Sequence, residues 1–301
     1  MITAVVLAAL ATACAVGSWR FTTAAWTSRA PRLAIIVWQS LGVAWGLATT
    51  GAMLAYAVQP YGMGVLPGLT AFIQGERPAQ AWDALHVLAL IAGLTSLTVL
   101  VAVLLTAGVQ ALRARRRHRM LLALIARDDP GVPGVRVLDH PGAAAYCVPG
   151  LRSQVVVSEG ALKLLSEDEL AAVLAHEAAH VRERHDLVLL PFAALRRAMP
   201  WSKVVADAQA QVELLIEMAA DDRARRYCSP RRLATALLRF GTAGAMPTPH
   251  GMLGMHAQNV MARVDRLIKP GPELATPVRY AYIALSVSLV TSTPFLWVFQ
   301  L

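Results

Sequence analysis

The chain has 301 residues, 56% of them hydrophobic and only 16% charged, with a mean hydropathy of +0.50. That balance is too apolar for an ordinary soluble domain of this size, so membrane spans must hold the excess. The net charge of +9 calls for no nucleic-acid partner, because arginines beside spans on an anionic leaflet account for much of it.

Four stretches lack Asp, Glu, Lys and Arg: about 2–19, 33–58, 85–112 and 280–301. Each is long enough, or nearly so, to cross ~30 Å of hydrocarbon. A cleaved signal peptide is the alternative for the first. It is disfavoured because no Lys or Arg precedes it, and Ala11-Thr12-Ala13-Cys14 is a poor lipobox. Trp19, Trp38, Trp82 and Trp297 fall near span ends, as an interfacial belt would place them. The Pro- and Gly-rich stretch 59–83 reads as a loop, too short for a folded sensor domain, whose apolar middle, 65–73, can dip into the bilayer.

After the third span comes Arg113-Ala114-Arg115-Arg116-Arg117-His118-Arg119. Beside a span this run is read as a phospholipid contact on the cytoplasmic side, not a nucleic-acid site. Arg20, Arg29 and Arg32, between spans one and two, agree. Both termini then lie outside and residues 113–279 inside. Cys14, Cys147 and Cys228 are scattered, form no disulfide framework and suit a reducing cytoplasm; without a CxxC partner, small buried hydrophobes are their default role.

Within 113–279, residues 134–138 and 154–157 read as strands of a small hairpin-like sheet, separated by turns at His140-Pro141-Gly142 and Pro149-Gly150. Ser166 followed by Glu169 is a capping box that starts a helix. That helix carries His176-Glu177-Ala178-Ala179-His180. Histidines four apart share one helical face, so both imidazoles can bind a single Zn2+. Glu177 sits beside them as general base for a water that zinc acidifies to about pKa 7.

The next nine apolar residues, 187–195, are too few to span and read as an interfacial helix. Thirty-seven residues after His180, Glu217-Met218-Ala219-Ala220-Asp221 supplies a third metal ligand, Glu217, and leaves one position open. Asp221, one turn on, accepts the free ring N–H of a ligand histidine. The alternative is a solvated stripe of Glu213, Glu217 and Asp221 beside Arg223, Arg225 and Arg226.

His185 is set aside as a ligand. Nine residues past His176 it falls on the opposite face if the helix continues, and the metzincin spacing fails at Glu183 and Asp186. His185 and Tyr227 remain candidates for stabilising an oxyanion. His250 and His256 read as loop residues.

Assembled, these residues resemble the BlaR/MecR-type antirepressor family of integral-membrane zinc metallopeptidases. The elements that carry the resemblance are Ala145 to Gly150, Val155 to Gly160, Glu169-Leu170 before the His176 motif, Arg184-His185-Asp186, Glu217 to Asp221 and Ala262 to Leu267. The resemblance implies His176, His180 and Glu217 as zinc ligands and Glu177 as catalytic base, in a bacterial plasma membrane. Sensor members carry a penicillin-binding domain after the last span; this chain stops at Leu301, which argues against beta-lactam recognition.

The expected architecture is a mainly α integral membrane protein. Three transmembrane helices lie within 1–112, a small α+β zincin-like (gluzincin) peptidase domain occupies 113–279, and a fourth span occupies 280–301. The expected activity is peptide-bond hydrolysis in a cytoplasmic protein, such as a BlaI-type repressor. Two alternatives stand: a housekeeping peptidase like the HtpX or CAAX-prenyl proteases, and a non-catalytic membrane adaptor, against which the intact Glu177 speaks. Homo-oligomerisation is compatible with this pattern.

Overall fold

The computed structural model describes residues 1–128, 135–148, 154–242 and 257–299. Four described helices are long and apolar enough to cross a membrane: α1 (Ile2–Phe21), α2 (Pro31–Ala57), α4 (Ala84–Ile125) and α11 (Thr276–Val298), with a short α3 (Val65–Ile73) between the second and third. Leu7, Ala11, Ala48 and Leu296 form one layer where α1, α2 and α11 meet. Small side chains allow this close approach. At Gly51 an added Cβ would sit 2.3 Å from Trp297 Nε1, which donates to the Leu47 carbonyl at 3.2 Å. The 59–83 segment is not simply a loop. Its α3 buries Val65, Gly68 and Ala71.

Helix α4 runs unbroken for 42 residues, ~63 Å at 1.5 Å per residue. The span end expected at residue 112 therefore lies inside a helix. The arginine run continues it because Arg is a good helix former and neither Gly nor Pro occurs from 109 to 125.

The start of α2 is covered by other helices. Ala34, Ile35 and Trp38 are buried against Phe192, Val212, Leu215 and Ile216, so their apolarity serves protein packing rather than lipid. Trp38 is 2% exposed and stands edge-on to Phe192, which removes it from an interfacial belt.

The sheet has four strands, β1 (Ala126–Asp128), β2 (Val135–Leu138), β3 (Ala145–Val148) and β4 (Gln154–Ser158), in the order β1-β2-β4-β3. The two strands expected to form a hairpin, β2 and β4, are parallel neighbours. The segment between them contributes β3, which pairs antiparallel with β4, and a parallel pair needs such a crossover. Pro149-Gly150 and Gly134 lie outside the described residues, as do His250 and His256.

The helical part comprises α5 (Glu159–Leu164), α6 (Glu167–Arg182), α7 (His185–Ala198), α8 (Lys203–Ala224), α9 (Pro230–Thr242) and α10 (Ala257–Ile268). The expected capping box opens α6: Glu169 N donates to Ser166 Oγ (3.4 Å), and Ser166 N to Glu169 Oε2 (2.9 Å). Val173 on α6 packs with Val157 on the sheet and Phe240 on α9. On its other side, Ala172 joins Ala224 of α8 and Val264 of α10. Alanine at these crossings lets the helices close in on a buried site.

Candidate metal centre

The i, i+4 spacing on α6 sets His176 and His180 on one face, with their Nε2 atoms 3.0 Å apart. Helix α8 crosses that face. It brings Glu217 Oε2 to 3.4 Å from His176 Nε2, and Oε1 to 3.5 Å from His180 Nε2. His176, Glu217 and Asp221 are each at most 5% exposed. Two imidazole nitrogens and a carboxylate thus meet in a buried space, their ligand atoms all within 4.8 Å of one another.

These residues fit a metal. A tetrahedral zinc with ligand bonds of ~2.0–2.1 Å needs donors ~3.3 Å apart, close to the separations present. Neither buried Glu217 oxygen accepts an aligned hydrogen bond from the protein; Arg263 Nη1 stands by Oε2, while Oε1 faces the His180 ring at 3.5 Å and is left with coordination capacity that a metal would fill. The donor set of two nitrogens and one carboxylate oxygen suits zinc, and three protein ligands leave a position for water or substrate. Glu177, next to His176 on α6, is buried at 7% exposure.

Around these donors lies a layer of supporting groups. Asp221 Oδ1 is 3.0 Å from His176 Nδ1, where it fixes the ring with Nε2 facing the centre. Burial alone would push the His176 imidazole down, but the Asp221 and Glu217 carboxylates outweigh it and hold it up to about 9. His180 has a weaker counterweight. Burial dominates, the neighbouring His176, His185 and Arg263 add to it, and the ring falls to about 3.

Arg263 of α10 is the supporting residue for which sequence reasoning assigned no role. It is 1% exposed. Its Nε and Nη2 make a bidentate pair with Asp221 at 2.9 and 2.7 Å, and Nη1 reaches Glu217 Oε2 at 2.7 Å. Burial would raise both carboxyls; Arg263 overrides it, holding Glu217 down to about 2 and Asp221 well below the usual carboxylate range. Its sequence signals are its place within Ala262 to Leu267, one of the stretches that carry the family resemblance, and an arginine on the apolar face of an amphipathic helix, with Val260, Val264 and Leu267 buried around it.

His185 does not fall on the opposite face. Arg184 takes a left-handed conformation (φ 52°, ψ 42°) between α6 and α7, and the turn carries His185 back beside His180, Nδ1 to Nδ1 at 2.9 Å. It sits behind His180, on the side away from the converging Nε2 atoms, so it is placed to orient that ring and not to meet an oxyanion. Its Nε2 lies 3.5 Å from Glu183, and Glu183 in turn holds a bidentate pair with Arg32 of α2 at 2.7 and 3.0 Å. Tyr227 is not brought into the cluster. It is 64% exposed, and its hydroxyl accepts from Arg182 at 3.4 Å.

A stretch of the chain, residues 111–232, matches the model of peptidase family M48. It includes His176, Glu177, His180, Glu217 and Asp221. A protease HtpX homolog of Aeropyrum pernix is 38% identical over 78 residues, 24% of this chain and 24% of that protein. One of Trichormus variabilis is 38% identical over 77 residues, 25% of this chain and 27% of that protein. The matched region thus spans about a quarter of the length of these curated relatives. No solved structure gives a significant match.

Proposed function

We propose that this protein is an HtpX-like membrane zinc metalloendopeptidase in which His176, His180 and Glu217 hold the metal and Glu177 is the general base. The observation that carries the proposal is the buried meeting of those three donors at zinc-like separations, inside the region that matches M48. Zinc bound there would polarise the scissile carbonyl and acidify an attacking water. Glu177 takes the proton from that water and passes it to the leaving amine. Asp221 and His185 hold the two imidazoles in register, and Arg263 balances the two carboxylates next to them. β3 lies at the sheet edge alongside α6, so a substrate segment can pair with it in extended form.

The relatives reported are HtpX proteases, which favours protein processing or quality control at the membrane over the antirepressor role. The BlaR/MecR-type resemblance and a repressor substrate gain no support from them. In this proposal the peptidase domain faces the cytoplasm, in keeping with the arginines near the span ends.

The test is elemental analysis beside hydrolysis of β-casein, an unstructured protein substrate, by detergent-purified full-length chain. Wild type and Glu177→Gln should each hold about one zinc, with hydrolysis reduced about 10^3-fold in Glu177→Gln. His180→Ala should lose both metal and activity. Wild type without zinc, or Glu177→Gln with full activity, would overturn the proposal.

A further inference from the structure

Away from the metal centre, a cavity of about 750 Å³ opens between the loop joining α1 to α2, the end of α8, α10 and the segment leading into α11. Seven cationic side chains line it against three carboxylates. Arg266 is occupied by a bidentate pair with Asp222 at 2.8 Å, and Arg32 by Glu183. Arg29, Arg226, Lys269 and Arg279 are exposed and have no carboxylate partner among the described residues. The remaining carboxylates, Asp265 and Glu273, are exposed and likewise unpaired, so an excess of positive charge faces the opening.

The placement of the cavity points to the source of its ligand. It lies where α1 ends at Phe21, α2 begins at Pro31 and α11 begins at Thr276, the level at which three span-length apolar helices stop. Below Arg279, α11 presents Tyr280, Ile283, Val287 and Val290, all at least 42% exposed and spaced three or four apart along one face. A single ligand with an anionic head and a hydrocarbon tail satisfies both surfaces, the head among the unpaired cations and the tail along α11.

We infer that this cavity is a binding site for the phosphate headgroup of an anionic phospholipid. Met218 and Asp222 form part of its wall, each following a centre residue, Glu217 and Asp221, on α8. Arg266 lies one turn from Arg263 on α10. A bound lipid therefore braces, from behind, the two helices that furnish the acidic half of the metal centre.

The test uses full-length protein in a non-ionic detergent and reads its thermal midpoint against added dihexanoyl phosphatidylglycerol, dihexanoyl phosphatidylcholine or inorganic phosphate. Phosphatidylglycerol should raise the midpoint saturably, whereas the other two should not. Each cation removed should weaken this about fivefold, so Arg279→Gln alone shifts the half-saturating concentration about fivefold. The combined Arg29→Gln, Lys269→Gln and Arg279→Gln variant should shift it about a hundredfold. Lys163→Gln with Arg231→Gln, exposed cations on α5 and α9 that do not line the cavity, should leave it unchanged. An equal response to phosphatidylcholine, or to inorganic phosphate at the same concentration, overturns the inference. So does an unchanged Arg279→Gln response, or an equal loss in the Lys163 and Arg231 double variant, which would mean general surface attraction.

Discussion

The Nδ1 atoms of His180 and His185 lie 2.9 Å apart because the chain reverses its twist at one residue, Arg184. From His185 the contacts continue to Glu183 and then to Arg32 at the start of α2. His180, a ligand in the proposed metal site, is thus oriented by a chain of groups that ends on a span-length helix.

Breaking that chain should loosen the metal without unfolding the protein. Glu183→Gln removes the charge between Arg32 and His185. Zinc affinity, read by competition with a chromophoric chelator, should fall about 10- to 100-fold, the usual consequence of losing a group that orients a ligand histidine. Unchanged affinity would show that the chain plays no part in holding His180.

The turn itself makes a separate prediction. A side chain with a Cβ pays about 1–2 kcal/mol for the left-handed conformation, and β-branching makes it worse. Arg184→Gly should keep zinc and stability, whereas Arg184→Val should lower the thermal midpoint and zinc content together. Equal behaviour of the two variants would show that this backbone conformation is not needed.

Arg263→Met leaves Glu217 and Asp221 buried without their shared cation. In chelator-treated protein this should cost about 3–5 kcal/mol in denaturant unfolding. With zinc loaded the loss should be smaller, since the metal supplies positive charge to Glu217. A loss that is the same with and without zinc would contradict this electrostatic role.

The pH dependence follows from His176. Its folded value is raised from 6.5 to about 9, so in the metal-free protein its contribution to stability is complete below 6.5 and is lost as pH climbs towards 9. Zinc must displace that proton. Apparent zinc affinity should therefore rise up to tenfold per pH unit between 6.5 and about 9, with about one proton released per metal in calorimetry across buffers of different ionisation enthalpy. A flat profile would mean that His176 is already neutral.

What the sequence makes legible here is what local geometry dictates. The spacing of His176 and His180 and the start of α6 at Ser166 need only helical periodicity and capping rules. Glu217 and Asp221 are legible as a pair one turn apart, although nothing in their sequence says that α8 crosses α6. Arg263 escapes because its partner Asp221 lies 42 residues away, and a buried arginine on a helix looks the same in sequence as an exposed one. The return of His185 escapes because helical phase holds only as far as Arg182, where α6 ends. The pairing of β2 with β4 escapes because periodicity identifies strands but not their neighbours. The burial of Trp38 escapes because apolar residues at a span end look alike in sequence whether they meet lipid or protein.

The unbroken course of α4 means that no slack separates its span-length apolar part from the sheet that follows at Ala126. A rigid shaft transmits rotation as well as height: one residue added between 113 and 119 would turn everything beyond it by about 100° about the helix axis, while the contacts from α7 to α4, such as the ion pair of Asp186 with Arg115, resist that turn. Lengthening that helix by one residue at a time would set its rotation against the packing of α7 and α8 on α2, so the residue count of α4 and that packed face must agree for the helices and the sheet to close together.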